Sequence, residues 1–318
     1  MKKFWKLVIV YIIWFVILFI VLNFIVYKFF YYQIEFGLPS DYNREKFSFI
    51  RHNTDYNYIK EDHLPRSPVE LGNDNGNIVI FGCSYGYGYL LEHEQTFHYK
   101  LSQALNRSVY NLSCPGEAPQ FAIMKIKSHD FDDILKKSDY AIFVTIGEHL
   151  YRVHSNSNGW WISNTWPRYD IKKEKDNKYL VFHKYRLAVI SDSYFWRYIR
   201  KVWFSKIISR IDIEPIKNYL FDNVKLHFET ILKDLQEYNP NIKMIIIVYP
   251  DDDCWNLYLD SPRWKELEDE GIIVVKVKDI IEDYGNSIYQ IPNDGHPSEF
   301  AWQNITNYLV NQTTIFKN

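Results

Sequence analysis

The hydrophobic pattern of the chain begins with one long apolar run near the N-terminus. From Leu7 to Tyr27 the sequence is apolar except for Asn23, and a helix of about 20 such residues spans the core of a bilayer. Three lysines precede the run and only Lys28 closely follows it, which places the N-terminus in the cytoplasm. We therefore expect residues 1–30 to form a single-pass signal anchor in the cell (inner) membrane, with the remainder periplasmic or extracellular. A cleavable signal peptide is the alternative, but it calls for a shorter apolar run and a small-residue cleavage site.

After residue 76 the pattern changes to short apolar runs that alternate with amphipathic stretches. Residues 31–76 are polar and irregular, which is typical of a linker or loosely packed lead-in. Short apolar runs bounded by glycine or proline indicate buried parallel strands. The predicted strands are Asn77–Gly82, Val109–Leu112, Tyr140–Ile146, Lys243–Tyr249 and Ile272–Val277, with helices predicted at 94–105, 119–128 and 297–310.

This alternation predicts an α/β fold, a three-layer α/β/α sandwich with a mostly parallel sheet, over residues 77–315. Residues 151–220 interrupt it with a segment rich in Trp, Tyr and Arg. Because that segment is too long for a plain connection, we expect an inserted cap or subdomain.

The composition argues against several classes of protein. Of the 318 residues, 47% are hydrophobic and 24% are charged, which are ordinary values for a globular protein. The net charge of −2 argues against a nucleic-acid-binding protein, which usually carries a basic excess. Three cysteines are too few for a disulfide scaffold or a cysteine-rich zinc module.

Chemically useful residues follow the predicted strands at their carboxyl ends, where open parallel sheets bind ligands. The first strand leads into the run Gly-Cys-Ser-Tyr-Gly-Tyr-Gly, which contains Ser84, and the second leads to Gly116. His149 follows the third strand, and Asp294 and His296 precede the last helix. A serine nucleophile needs a base within hydrogen-bond reach and a carboxylate to orient that base. The alternatives are a phosphate-cradling loop or N-cap for Ser84 and an ordinary turn for Asp294 and His296.

In block order, residues 77–310 resemble the SGNH (GDSL-type) hydrolase family, with a sheet order like that of flavodoxin. The run at 82–88 is similar to the family's first block, and the resemblance makes Ser84 the nucleophile. The run at 110–116 is similar to the second block, which implies oxyanion N–H groups from Ser84 and Gly116. Asp294-Gly-His296-Pro is similar to the last block, which implies His296 as the base and Asp294 as the orienting acid.

The chain also departs from the family pattern. Cys83 stands where the GDSL signature has Asp, and His149 stands where the third block has an Asn that donates to the oxyanion. A neutral or protonated imidazole is also a donor, so we expect His149 to take that oxyanion role. Many family members place the Asp three residues before the His, whereas Asp294 lies two before His296. That shorter spacing also occurs in the related polysaccharide O-acetyltransferases.

Three further features are weaker candidates. Arg152 is a possible substrate-binding residue for an anionic group, although ion pairing is the simpler interpretation. The acidic run Asp251–Asp253 lies on the same rim without clustered histidines, so no metal site is predicted. Cys83 and Cys114 fall on neighbouring loops, and the sequence leaves open whether they pair.

Together these features predict a serine esterase, an acyl-ester hydrolase that acts outside the cytoplasmic membrane on an acylated envelope glycan or lipid. No metal or organic cofactor is implied, and no nucleic acid is expected as a partner. One alternative is a polysaccharide O-acetyltransferase of the same fold that works with a membrane acyl-donor partner. The other is a catalytically inactive member that binds a glycan or a partner protein.

Overall fold

The computed structural model describes residues 10–11, 13–22, 25, 69, 76–153, 168–174, 177–183, 214–250, 261–292 and 294–317. The predicted linker apart from Val69 and Gly76, the acidic run after the fourth strand of the sheet, and the tryptophans of the predicted insertion lie outside these residues.

The described part of the N-terminal apolar run is helical, at residues 10–11, 13–22 and 25. Its large apolar side chains are mostly exposed, Phe15 among them. Within the described residues, no helix combines the length and the apolar character that crossing a membrane requires. The rest of the predicted span lies outside those residues, and the membrane anchor stays a prediction.

Seven strands are present among the described residues, five of them in one parallel sheet. They are β1 Asn77–Gly82, β2 Ser108–Asn111, β3 Ser138–Thr145, β4 Arg168–Glu174, β5 Asn177–His183, β6 Lys243–Val248 and β7 Ile273–Lys276. The parallel sheet has the order β2-β1-β3-β6-β7, while β4 and β5 form a separate antiparallel hairpin.

The helices are α1 Ser84–Tyr87, α2 Phe97–Leu105, α3 Pro119–Lys127, α4 Asp132–Lys136, α5 His149–Arg152, α6 Glu214–Gln236, α7 Trp264–Asp269 and α8 Glu299–Asn307. A 3₁₀ turn, His93–Gln95, precedes α2, and a π-helical turn, Tyr308–Gln312, follows α8.

Both faces of the sheet are covered, because alternate strand residues point to opposite sides and are apolar on both. Val79 and Phe81 belong to a buried cluster with residues of α3 and α6. Ile78 and Ile80 belong to a second cluster with residues of α2 and α8. The predicted α/β fold with a parallel sheet between helical layers is therefore confirmed.

The strand order creates a crevice at one end of the sheet. From β1 the chain moves to β2 on one side, and β3 then lies on the other side of β1. Ligands of open α/β sheets bind outside the carboxyl ends of the strands at such a reversal. The loops that follow β1, β2 and β3 are consequently the ones that position a site.

Candidate active site

Ser84 lies in a tight turn between β1 and α1. It is the first residue of the four-residue helix α1 and is half-buried. Gly86 allows this turn to pack closely, because a Cβ there would lie 2.7 Å from Ser113 Oγ and 3.3 Å from Val144 Cβ. A larger residue at position 86 would push the turn away from β3 and from the loop after β2.

Asp294 and His296 lie in a second turn, immediately before α8. The N–H of Ile291 donates to the His296 carbonyl at 2.8 Å and closes the turn. Asp294 Oδ1 accepts a hydrogen bond from the His296 backbone N–H at 3.2 Å and also contacts Nδ1 of the same imidazole. Asp is well suited to this position, since its short side chain readily bonds to backbone two residues ahead. The two-residue spacing therefore aligns the carboxylate with the ring.

The two turns meet at the imidazole of His296. Its Nε2 lies 2.7 Å from Ser84 Oγ, on the opposite side of the ring from Asp294. A carboxylate only accepts hydrogen bonds, so the proton belongs on Nδ1, and Nε2 is left to accept from the Ser84 hydroxyl. The rings of Tyr85 and Tyr89 flank the imidazole, with centroids at 4.9 and 5.3 Å. The structure thus brings the predicted serine, histidine and carboxylate into one hydrogen-bonded chain.

Gly116 lies in a turn of the loop that follows β2. The Glu117 N–H donates to the Cys114 carbonyl at 3.2 Å, which makes Pro115 and Gly116 the central residues of a β-turn. Gly116 has φ +82°, and Pro followed by a positive-φ Gly is the signature of a type II turn. The Cys114 N–H in turn donates to the Gly82 carbonyl at 3.2 Å. That bond holds the Gly116 loop beside the end of β1, from which the Ser84 turn starts.

Asn111 ties the Ser84 turn to the Gly116 loop, a role that the sequence analysis missed. Its buried amide donates to the Gly86 carbonyl at 2.9 Å and accepts from the Ser113 N–H at 3.1 Å. One side chain therefore fixes both segments. The available signal was a polar residue at the end of a predicted buried strand, where an unpaired amide is costly.

His149, the predicted oxyanion donor, lies in the core. Its side chain is 0% exposed, its Nδ1 is 3.1 Å from Thr145 Oγ1, and its ring packs edge-on against Phe143. Burial, together with the charge of Arg152, holds the pKa of His149 well below its usual range, so the imidazole is neutral. Helix α5 begins at His149, and the ring is fully buried. The oxyanion role of His149 stays a prediction.

Arg152 is also buried rather than displayed to solvent. Its Nη2 pairs with the Glu148 carboxylate, and its Nη1 donates to the Glu117 carbonyl at 3.3 Å. These contacts are the ion pairing that was the simpler interpretation of this residue. They attach α5 to the Gly116 loop, and a role in substrate binding stays a prediction.

The two cysteines near the site, Cys83 and Cys114, are buried thiols that form no disulfide with each other. Burial raises the pKa of Cys83, and it raises that of Cys114 to about 12, so both thiols are protonated and poor nucleophiles at neutral pH. Across the described parts of the chain, no three His, Cys, Asp or Glu side chains cluster as a metal site would need.

No protein-family model matches the chain, and no curated protein matches it significantly. Solved structures of lipases and carbohydrate esterases are similar to it in fold. A lipolytic protein of the G-D-S-L family from Desulfitobacterium hafniense DCB-2 is 12% identical with a TM-score of 0.42, covering 74% of this chain and 98% of that one. The lipase Lip_vut3 from a goat rumen metagenome is 12% identical with a TM-score of 0.47, and the match covers 73% of this chain and 95% of the lipase. The acetyl xylan esterase Est2A from Butyrivibrio proteoclasticus is 12% identical with a TM-score of 0.40, and the match covers 76% of this chain and 65% of the esterase.

Proposed function

We propose that the chain is a serine ester hydrolase with Ser84 as nucleophile, His296 as general base and Asp294 as orienting acid. One observation carries the proposal: Nε2 of His296 lies 2.7 Å from Ser84 Oγ while its Nδ1 contacts Asp294. Serine and histidine in hydrogen-bond contact, with a third group orienting the histidine, form the arrangement that activates a serine hydroxyl.

The reaction would proceed in two halves through an acyl-enzyme. As Ser84 Oγ attacks the ester carbonyl, its proton passes to Nε2 of His296, and Asp294 stabilises the imidazolium that forms. The imidazolium then protonates the departing alcohol as the carbon–oxygen ester bond breaks. A water molecule, deprotonated by the same nitrogen, attacks the acyl carbonyl and releases the acid and Ser84.

The negative charge on the carbonyl oxygen needs donors that are in place beforehand. We propose the backbone N–H groups of Ser84 and Gly116. Ser84 is the first residue of α1, so its N–H is not used by helical hydrogen bonds. The N–H of Gly116 belongs to the central peptide of its turn, and the positive φ of this glycine fixes the direction of that peptide.

We further propose that the substrate is an acylated glycan or lipid of the cell envelope, reached by a domain tethered outside the cytoplasmic membrane. Support comes from the apolar N-terminal run with its lysine asymmetry, whose described part is helical with exposed apolar side chains. Protease treatment of intact cells or spheroplasts tests the orientation. Digestion of the Ser84 domain without lysis is expected, and full protection would contradict it.

Covalent labelling tests the nucleophile directly. The full chain in detergent is treated with a fluorophosphonate probe beside Ser84→Ala and a control, Ser128→Ala, at the end of α3. We expect labelling of the wild type and the control and none of Ser84→Ala. Equal labelling of Ser84→Ala, or no labelling of folded wild type, would refute the hydrolase and favour the inactive binding protein. Hydrolysis of p-nitrophenyl esters of increasing chain length then defines the acyl preference.

The Asp-x-His spacing favours a second candidate, an O-acyltransferase that transfers the acyl group to a sugar hydroxyl. Asp294 reaches His296 across this spacing, and the same spacing occurs in related O-acetyltransferases. Product analysis with an acyl ester and a glycan acceptor separates the two activities. Acylated glycan in excess of free acid would establish transfer.

A further inference from the structure

Lys125 is a buried lysine whose ammonium group contacts a single loop. It lies in α3 with a side chain only 2% exposed. Its Nζ is 2.6 Å from the Leu112 carbonyl, 2.6 Å from Glu117 Oε2 and 3.7 Å from Cys114 Sγ. An ammonium has three N–H donors, and these three contacts account for all of them.

The three contacts bracket Gly116. Cys114 and Glu117 are the first and last residues of its β-turn, and Leu112 lies at the end of β2. The helix that carries Lys125 is itself held in place, since Tyr238 Oη donates to the Ile126 carbonyl at 2.9 Å. We infer that Lys125 is a positioning residue that holds the Gly116 turn in the orientation that presents its N–H to the oxyanion, an inference that rests on the proposed function.

The physical setting favours a specific role over general packing. The neighbours of Lys125 on the inner face of α3, such as Ile123 and Ile126, are apolar and fully buried. A buried ammonium among them is costly unless it is paired and hydrogen-bonded, and an apolar residue of similar size would often be as stable. Burial raises the pKa of Glu117 to about 7, opposed by Lys125. The ammonium therefore favours the charged form of the carboxylate that completes the clamp.

Lys125→Met tests the clamp, because methionine keeps most of the volume and removes all three donors. Lys127→Met is the matched control, since Lys127 lies on the same helix with a 51% exposed side chain and pairs with Asp234. We expect kcat for a p-nitrophenyl ester to fall about 10²-fold in Lys125→Met, as when an oxyanion donor is lost. KM should change little, while the inhibition constant of a boronic acid, which mimics the tetrahedral state, should rise in parallel with the loss of kcat.

Hydrogen exchange measures the loop without reference to activity. The N–H groups of Leu112, Cys114 and Glu117 are all hydrogen-bonded, so peptides covering 112–118 should be protected in the wild type. We expect their exchange to accelerate at least tenfold in Lys125→Met, with peptides from β3 unchanged. Unchanged exchange, or an equal effect of Lys127→Met, would overturn the inference.

Two further variants separate the clamp from folding. Glu117→Gln keeps a carbonyl oxygen that accepts from Lys125 and leaves the Leu112 contact in place, but it removes the charge, so we expect a smaller loss of kcat than in Lys125→Met. Lys125→Met with Glu117→Gln leaves no unpaired buried carboxylate and should fold while keeping the low kcat. Full activity of this double variant would overturn the inference. A wild type without Ser84-dependent turnover would instead refute the proposed function and with it the catalytic part of the inference, while exchange still reports whether Lys125 holds the loop.

Discussion

The turn that carries Asp294 and His296 and the loop that carries Gly116 serve the same serine but are held by different kinds of contact. In the Asp294 turn, one carboxylate contacts the backbone and the ring of a residue two positions later. Its side chains are 21–27% exposed. The Gly116 loop is buried at both ends, and it is fixed by Asn111, by Lys125 and by Arg152 from α5.

The two kinds of contact should tolerate different substitutions. A local pair depends on the chemistry of its own two residues, so a change there alters proton transfer and leaves the fold intact. A loop held from several elements depends on distant side chains, so its substitutions should alter the geometry of the oxyanion donor and the stability together.

Asp294→Asn should break the local pair and cause the largest loss of kcat. The asparagine amide donates to Nδ1, so the imidazole proton moves to Nε2 and Nε2 no longer accepts from Ser84. We expect kcat for ester hydrolysis to fall by about 10³- to 10⁴-fold with the melting temperature almost unchanged. Steady-state kinetics and thermal unfolding measure both, with the exposed Asp283→Asn as control. Retention of more than a tenth of the activity would show that another group orients His296.

The contrast also explains how far the sequence could predict this molecule. The five parallel strands lie within about two residues of their predicted bounds, because apolar runs between glycines are a strong local signal. Ser84, Asp294 and His296 were predicted for a similar reason, since each lies in a short motif at a strand end or a helix start. The fold and the local half of the site are therefore predictable.

The other half of the site depends on contacts that no local pattern records. Lys125 lies in a predicted helix, and no local pattern indicates that the Gly116 loop covers its side chain. His149 follows β3 as the sequence indicates, but the burial of its ring depends on how α5 packs. Helix α6 begins within residues 151–220, which were expected to be an insertion. Each of these features depends on where a distant element packs, and that information is not periodic.

Gly116→Ala tests the Gly116 loop, where we expect kcat and stability to fall together. Alanine disfavours φ +82°, so the turn should shift towards type I, which reverses the central peptide and the direction of its N–H. We expect kcat to fall about 10²-fold with a loss of about 1 kcal/mol or more in unfolding free energy.

The control for this substitution is Gly285→Ala, where an added Cβ meets only Asp283 Oδ1 at 3.8 Å. Kinetics and urea unfolding of both variants measure the effects. Wild-type kcat in a destabilised Gly116→Ala would remove the Gly116 N–H from the proposed oxyanion site.

Asn111→Asp should have a smaller effect on rate and a clear one on stability. The carboxylate still accepts from the Ser113 N–H, but its other oxygen faces the Gly86 carbonyl, to which the amide had donated. We expect about 1–3 kcal/mol less stability and roughly a tenfold lower kcat as the two segments separate. Asn304→Asp is the control, because Asn304 makes the same kind of donation to the Phe300 carbonyl at the surface. Equal losses in both variants would contradict a linking role for Asn111.

The smallest expected effect concerns pH, and it distinguishes a buried His149 from a catalytic one. Its pKa is lowered by burial and then by Arg152, so below about pH 6.5 the unfolded chain binds a proton that the folded chain excludes. Wild-type stability should fall with decreasing pH, at a slope approaching about 1.4 kcal/mol per pH unit from this residue. His149→Gln removes that contribution, so the difference in unfolding free energy between this variant and the wild type should shift in favour of the variant as the pH falls from 7 to 5. Urea unfolding across this range measures the difference. If the His149→Gln curve stays parallel to the wild type while kcat collapses, the imidazole acts on the substrate and not in the core.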